Sequence, residues 1–112
     1  MLTEQRILGF IGLAYRAGKV VNGYDAVCKS LYKKEVKLLI FSKDISENTL
    51  KKILKLGSSG DVNLPDAYSF STSLCLGNSI GKKPTAVIGI TDEGFVKKLS
   101  EMLNDYNEEG IS

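Results

Sequence analysis

The sequence predicts an α/β fold, a three-layer α/β/α sandwich in which helices cover both faces of a four-stranded, mostly parallel, mixed sheet. Segments with apolar residues three and four positions apart, typical of amphipathic helices, alternate with short continuous apolar runs, typical of buried strands. The alternation begins and ends with a helix and contains four strands. Strands that are joined through helices favour parallel neighbours, which predicts a central sheet.

The first half of the chain carries clear boundary signals. Thr3 is the predicted N-cap of the first helix, and Gly18 is its predicted C-terminal stop. Residues 20–21 predict a short strand, and the turn residues 22–23 precede a second helix. Residues 38–41 form a continuous apolar run, which predicts a strand covered on both faces.

The second half continues the alternation. Ser46 is the predicted N-cap of a third helix, and Ser71 or Thr72 caps a fourth. The remaining predicted elements are strands at 67–70 and 86–90, the fourth helix at 73–80, and a last helix capped at 91–92. An acidic tail at 107–112 is expected to fray. No linker or repeat interrupts residues 1–112, so we expect one domain.

Composition excludes most catalytic chemistry. The chain has no histidine, which removes Ser-His and Cys-His dyads and most zinc sites. Its two cysteines, Cys28 and Cys75, lack CxxC spacing and stand in apolar patterns, as expected of buried, reduced thiols in a cytosolic protein. The glycines complete no phosphate-binding motif, and the acidic residues form no obvious pair. We therefore expect a cytoplasmic protein that is not an enzyme, has no cofactor and no metal, and does not enter a membrane.

Charge is unevenly distributed along the chain, although the net charge is only +2. Residues 1–44 hold eight basic and four acidic side chains, and residues 45–91 hold five and three. Residues 92–112 reverse the balance, with two basic and six acidic side chains. A basic side on a nearly neutral protein attracts polyanions, so this composition is compatible with a nucleic-acid partner.

Residues 18–44 bring several anion-binding features together. They contain a predicted helix start after Gly23, lysines four apart at Lys29 and Lys33, and a polar loop after the second strand. A helix N-terminus offers free backbone N–H groups and positive potential to phosphate. We therefore expect an anion-receiving corner here, although each feature alone also fits a solvated helix face or an ordinary turn.

Glycine- and lysine-containing motifs occur both within this corner and beyond it, over about residues 8–99. The motifs are Gly18-Lys19, Gly23-Tyr24, Lys29, Lys33-Lys34, residues 36–40 with Ser42-Lys43-Asp44, Leu76-Gly77 with Gly81-Lys82, and the strand and turn at 86–94. Together they resemble the signature of the ribosomal protein L7Ae and L30e superfamily. The short length and the opening residues 16–19 resemble bacterial ribosomal-protein-like members of that superfamily.

The resemblance implies an α/β/α sandwich that binds structured RNA, typically a kink-turn. We also expect a monomer, associated with the ribosome or with a structured regulatory RNA. In that family the start of the second helix enters the RNA, and a loop covers a flipped nucleotide. On this chain residues 23–25 would face sheared base pairs, Lys29 would contact phosphate, and residues 82–86 would cover the nucleotide. The full implied RNA-binding set is Lys19, Gly23, Tyr24, Asp25, Lys29, Lys33, Lys43, Asp44, Lys82, Lys83, Pro84 and Thr85.

The sequence departs from the family in two places: at one position pair of the strict kink-turn binders, and in the covering loop, which is apolar in many relatives but carries Lys82 and Lys83 here. Asp25 and Ala26 stand where the strict binders carry Asn and Glu, and an ionised Asp accepts hydrogen bonds but cannot donate them. The alternative function is therefore an RNA-silent protein-interaction module on the same fold, which the acidic C-terminal helix also favours. A third alternative, an enzyme for a small phosphorylated ligand, requires a deep, closed pocket near Gly23.

Overall fold

The computed structural model of the chain describes the backbone of residues 2–111 and the side chains of residues 2–107. This part contains five helices and four strands in the predicted order. The elements are α1 (Glu4–Arg16), β1 (Val20–Asn22), α2 (Tyr24–Tyr32), β2 (Leu38–Phe41), α3 (Glu47–Ser58), β3 (Asp66–Ser69), α4 (Ser73–Ser79), β4 (Val87–Ile90) and α5 (Glu93–Ile111). The predicted fraying of 107–112 concerns residues largely outside the described side chains and stays a prediction.

Side chains cap the N-termini of four of the described helices. Each cap is an oxygen that accepts a hydrogen bond from the backbone N–H three residues later, which satisfies a donor the helix itself leaves free. The capping residues are Thr3 (3.2 Å), Ser46 (3.1 Å), Thr72 (3.2 Å) and Asp92 (3.0 Å). The predicted caps are thus confirmed, and of the two candidates for α4 the structure selects Thr72.

The sheet is mixed, and its strand order is β1-β4-β2-β3. β2 and β3 pair in parallel, whereas β4 lies between β1 and β2 and runs antiparallel to both. Three of the four strands therefore share one direction, although two of the three pairings are antiparallel, and the prediction of a four-stranded mixed sheet is confirmed. The expectation that helix-joined strands are sheet neighbours is wrong for β1 and β2 and for β3 and β4. The inserted β4 separates the first pair, and β2 separates the second.

Helices cover both faces of the sheet, and each face has its own core. One core holds apolar residues of α1, α4 and α5, and the other holds apolar residues of α2 and α3. In β2, Leu38 and Ile40 enter the first core, and Leu39 and Phe41 enter the second, because alternate side chains of a strand point to opposite faces. The three-layer prediction is confirmed. No helix in residues 2–111 is both long and apolar enough to cross a membrane.

Candidate nucleic-acid interface

A cleft of about 580 Å³ lies where β1 ends, α2 begins and β4 begins. The start of α2 forms one wall, the first turn of α3 forms another, and the loop before β4 forms the third. The lining residues are Asn22, Gly23, Tyr24, Thr49, Lys82, Lys83, Pro84, Thr85, Ala86 and Val87. The structure thus brings together six of the predicted RNA-binding residues.

Gly23 carries the chain from β1 into α2 with a backbone conformation that side chains disfavour. Its φ is +88°, and its N–H donates to the Val87 carbonyl at 3.0 Å, which ties the helix start to β4. Gly23 has no side chain to cap the helix, so α2 lacks the side-chain N-cap that begins the other four helices of residues 2–111. The first-turn N–H groups of α2 are therefore available to an external anion.

Tyr24 presents a neutral aromatic ring at the edge of the cleft. Its side chain is 37% exposed, and the Lys52 ammonium lies 5.7 Å from the ring centroid. The adjacent Cys28 thiol, followed by desolvation, raises the pKa of the Tyr24 phenol above its usual value. Burial likewise raises the pKa of the Cys28 thiol. Both groups are thus neutral near pH 7, and the ring offers a surface on which a base can stack.

The two cysteines are free thiols, as predicted, but half-buried rather than buried. Cys28 packs against the α2–α3 core and Cys75 packs against the opposite core. Because the sheet separates them, they cannot form a disulfide with each other.

The loop that faces the start of α2 is held from behind by α4. The Lys82 N–H donates to the Gly77 carbonyl at 2.9 Å, and the Thr85 N–H donates to the Ser73 carbonyl at 2.9 Å. The Thr85 side chain is buried, and its hydroxyl donates to the Lys83 carbonyl at 2.8 Å. Thr85 therefore shapes the loop, whereas Lys82, Lys83 and Pro84 are exposed at its surface.

Asp44 has a structural partner at the rim. One carboxylate oxygen accepts the Ser73 N–H and the other accepts the Ser73 hydroxyl, each at 2.8 Å. These hydrogen bonds hold the pKa of the Asp44 carboxyl below its usual range, and the bond from the Ser73 N–H has the larger effect. Because Ser73 also bonds the loop at Thr85, Asp44 supports the cleft through α4.

Some of the other predicted RNA-binding residues lie on the same side of the molecule as the cleft, and others lie at the opposite end of the sheet. Asp25 and Lys29 are exposed on α2, and Lys43 follows β2 at the end of that strand that pairs with Val87. Lys33 caps the far end of α2, and Lys19 precedes β1, with its carbonyl accepting the Thr91 N–H. The structure therefore places Lys19 and Lys33 away from the cleft.

Two residues of α3 at this site were not predicted from the sequence. Thr49 lines the cleft, and Lys52 lies over Tyr24. The Ser46 cap located the first turn of α3, but sequence gives no measure of its distance from α2. Within the described residues, no group of three or more metal-ligating side chains accompanies the cleft.

Fold and cleft define a class of protein, a small α/β/α domain with a basic loop opposite an uncapped helix start. The chain belongs to the ribosomal protein L7Ae/L30e/S12e/Gadd45 family, whose sequence profile matches residues 5–100. The resemblance noted in the sequence is thereby confirmed. The membership also confirms the prediction that the protein is not an enzyme.

Known relatives match along almost the whole chain. The RNA-binding protein YlxQ of Bacillus subtilis (strain 168) is 38% identical over 94 residues, which are 84% of this chain and 91% of that protein. The RNA-binding protein YlxQ of Enterococcus faecium is 34% identical over 100 residues, 89% of this chain and 93% of that protein.

Two solved structures share the fold. A protein of unknown function from Bacillus halodurans C is 33% identical, with a TM-score of 0.76 over 88% of this chain and 96% of that one. The Giardia lamblia 15.5kD RNA binding protein superposes with a TM-score of 0.64 over 88% of this chain and 82% of that one. Because its sequence is only 17% identical, this match supports the fold alone.

Proposed function

We propose that the protein binds structured RNA in the cleft, without a catalytic step, and that its target is a kink-turn or a closely related kinked motif. Kinked RNA exposes unstacked bases and base edges that a regular A-form helix hides. The two YlxQ relatives are named as RNA-binding proteins, which supports the RNA partner. A monomer in the cytoplasm, associated with the ribosome or a regulatory RNA, completes the proposal.

One observation carries the proposal. The only helix start without a side-chain cap in residues 2–111 is that of α2, and it faces a loop with two exposed lysines across the cleft. Free N–H groups and lysine ammonium groups both favour phosphate oxygens. A helix start capped by its own side chain would satisfy a donor internally and would offer the anion less.

Different parts of the cleft suit different parts of an RNA. The ring of Tyr24 suits stacking of an unpaired base, and the Thr49 hydroxyl donates and accepts hydrogen bonds. Lys29, exposed on α2, suits the adjacent backbone phosphate. Asp25 accepts only, so it selects base edges that present amino or imino donors, and we expect it to change which kinked motif is preferred.

The test is a titration of the purified protein against a kink-turn RNA and against the same RNA with its sheared G·A pairs replaced. We expect tighter binding to the intact motif at two salt concentrations. Lys29→Ala and Lys82→Ala should each reduce the slope of log affinity against log salt by about 1. Lys97→Ala on α5, at the opposite face of the sheet, is the control that removes the same charge. Equal weak binding to both RNAs, lost with salt, would contradict recognition of the motif.

If the protein is instead an RNA-silent interaction module, we expect no RNA binding. Protein purified without nuclease treatment should then carry no nucleic acid and have a low ratio of absorbance at 260 nm to that at 280 nm. The third alternative, a small-ligand enzyme, requires an enclosed pocket, whereas the cleft near Gly23 is broad and open to solvent.

A further inference from the structure

Helix α3 carries an excess of positive charge that α5, on the opposite face of the sheet, lacks. Its twelve residues hold three lysines and one acid. The described side chains of α5, which is also half-solvated, hold two lysines and three acids. Exposure of a helix face to solvent therefore does not by itself explain the excess of lysines on α3.

The lysines of α3 lead away from the cleft. Thr49 lines the cleft, Lys52 follows three residues later, and Lys55 follows three after that. At a rise of about 1.5 Å per residue, Lys55 lies about 9 Å along the helix axis from Thr49. Lys52 adjoins the proposed RNA site directly, because its ammonium lies 5.7 Å from the centroid of the Tyr24 ring.

The three lysines of α3 differ in their partners. Lys51 pairs with Glu47 at 3.5 Å, as side chains four apart on a helix commonly do. Within the described residues, no carboxylate lies within ion-pair distance of Lys52 or Lys55. Both side chains are exposed, so their charges are available to a partner in solution.

We infer that α3 is a second part of the RNA interface, where Lys52 and Lys55 bind phosphates of the RNA strand that flanks the motif held in the cleft. The inference rests on the proposed function, since it extends the same bound RNA beyond Tyr24. Lysines bind phosphate as point charges, so this contact contributes affinity and salt dependence but no base specificity.

The test compares two RNAs and three variants. The long RNA carries the kink-turn with extended helices on both sides, and the short RNA keeps only the motif with minimal closing pairs. The variant Lys52→Ala/Lys55→Ala removes the proposed contacts. Lys51→Ala removes the paired lysine of the same helix, and Lys97→Ala/Lys98→Ala removes two charges from the opposite face.

We expect the double variant of α3 to reduce the salt slope for the long RNA by about 1.5 to 2. The ratio of wild-type affinity to variant affinity would then fall about tenfold as the salt concentration rises from 50 to 200 mM. The short RNA should show a clearly smaller change, and both control variants should behave as the wild type does with the long RNA.

Other outcomes separate the two proposals. If the wild type binds the kink-turn and the α3 double variant matches the Lys97→Ala/Lys98→Ala control, the cleft function stands and the α3 contact is wrong. If the α3 variant weakens binding to both RNAs equally, the lysines act on the motif itself and the flanking-strand assignment is overturned. If the wild type binds neither RNA, both proposals are overturned.

Discussion

Gly77 of α4 lies so close beneath the Lys83 carbonyl that no Cβ fits between them. A Cβ built on Gly77 would clash with the Lys83 carbonyl oxygen and would meet the Pro84 Cα at 3.0 Å. The neighbours are backbone atoms, which cannot rotate away as a side chain can. The close approach of α4 therefore sets the position of the loop over the cleft.

Gly77→Ala should consequently move the loop and weaken RNA binding. We expect a loss of about 1–3 kcal/mol in the free energy of unfolding, typical of an added methyl group in a packed site. Gly9→Ala is the matched control, because Gly9 is also within a helix but has open space around its Cβ position. That control should be neutral or should stabilise by up to about 1 kcal/mol. Urea unfolding and RNA titration check both variants, and equal behaviour of the two would contradict this role of Gly77.

Asp44→Asn should lower stability in a pH-dependent way. The folded protein holds the pKa of the Asp44 carboxyl below its unfolded value, mainly through hydrogen bonds from Ser73. The stabilisation is therefore fully present above the unfolded pKa of about 3.9 and is lost as the pH falls through the folded pKa. The urea midpoints of wild type and variant should differ at pH 7 and converge in acid. Asp66→Asn, at the exposed start of β3, is the control, and a difference that persists unchanged at low pH would exclude the mechanism.

Gly23→Ala should destabilise the protein and impair RNA binding together. The φ of +88° with a ψ of 158° is a conformation essentially restricted to glycine and costs a side chain about 1–3 kcal/mol, although the space around Gly23 is open. Gly60→Ala is a suitable control because Gly60 has a φ of +83°, also with open space, and lies outside the cleft. We expect both substitutions to lower thermal stability, but a loss of RNA affinity only from Gly23→Ala. An affinity loss of equal size in both would indicate a general effect of instability.

Tyr24 should contribute to RNA binding through its ring rather than its hydroxyl. Tyr24→Phe keeps the stacking surface and should bind RNA almost as the wild type does. Tyr24→Leu removes the surface and should weaken binding by about 1–3 kcal/mol, the range for stacking of one base. A filter-binding titration measures both, and circular dichroism verifies that the exposed substitution leaves the fold intact. Weak binding by the Phe variant would assign the contribution to the hydroxyl.

The elements were predictable where local chemistry decides them. The apolar run at 38–41 coincides with β2, and short polar side chains at Thr3 and Ser46 begin the helices they were expected to begin. β3 lies one residue before its predicted position. Residues 23–25 and 82–85 were recognised from their motif, and the structure places most of them around one cleft.

The order of the strands and the role of Asp44 could not be predicted, because they depend on distances that only the folded chain defines. Nothing local in residues 87–90 reveals that β4 enters between β1 and β2, because a strand buried on both faces has the same composition in either direction. The role of Asp44 was hidden for a similar reason. Its partner Ser73 is 29 residues away, so the sequence showed a rim carboxylate and the structure shows an anchor for α4.

The central place of β4 has a consequence for how the protein is made. Within residues 2–111, β1 pairs only with β4, and the Gly23 N–H donates to the Val87 carbonyl, so neither contact can form until residues 87–90 have been synthesised. Contacts between residues so far apart close late and slow the folding of a chain this short. A nascent chain that stops before Val87 would carry two unpaired strand edges and a half-built cleft. The cleft can therefore be completed only after residues 87–90, in the last quarter of the chain, have joined the sheet.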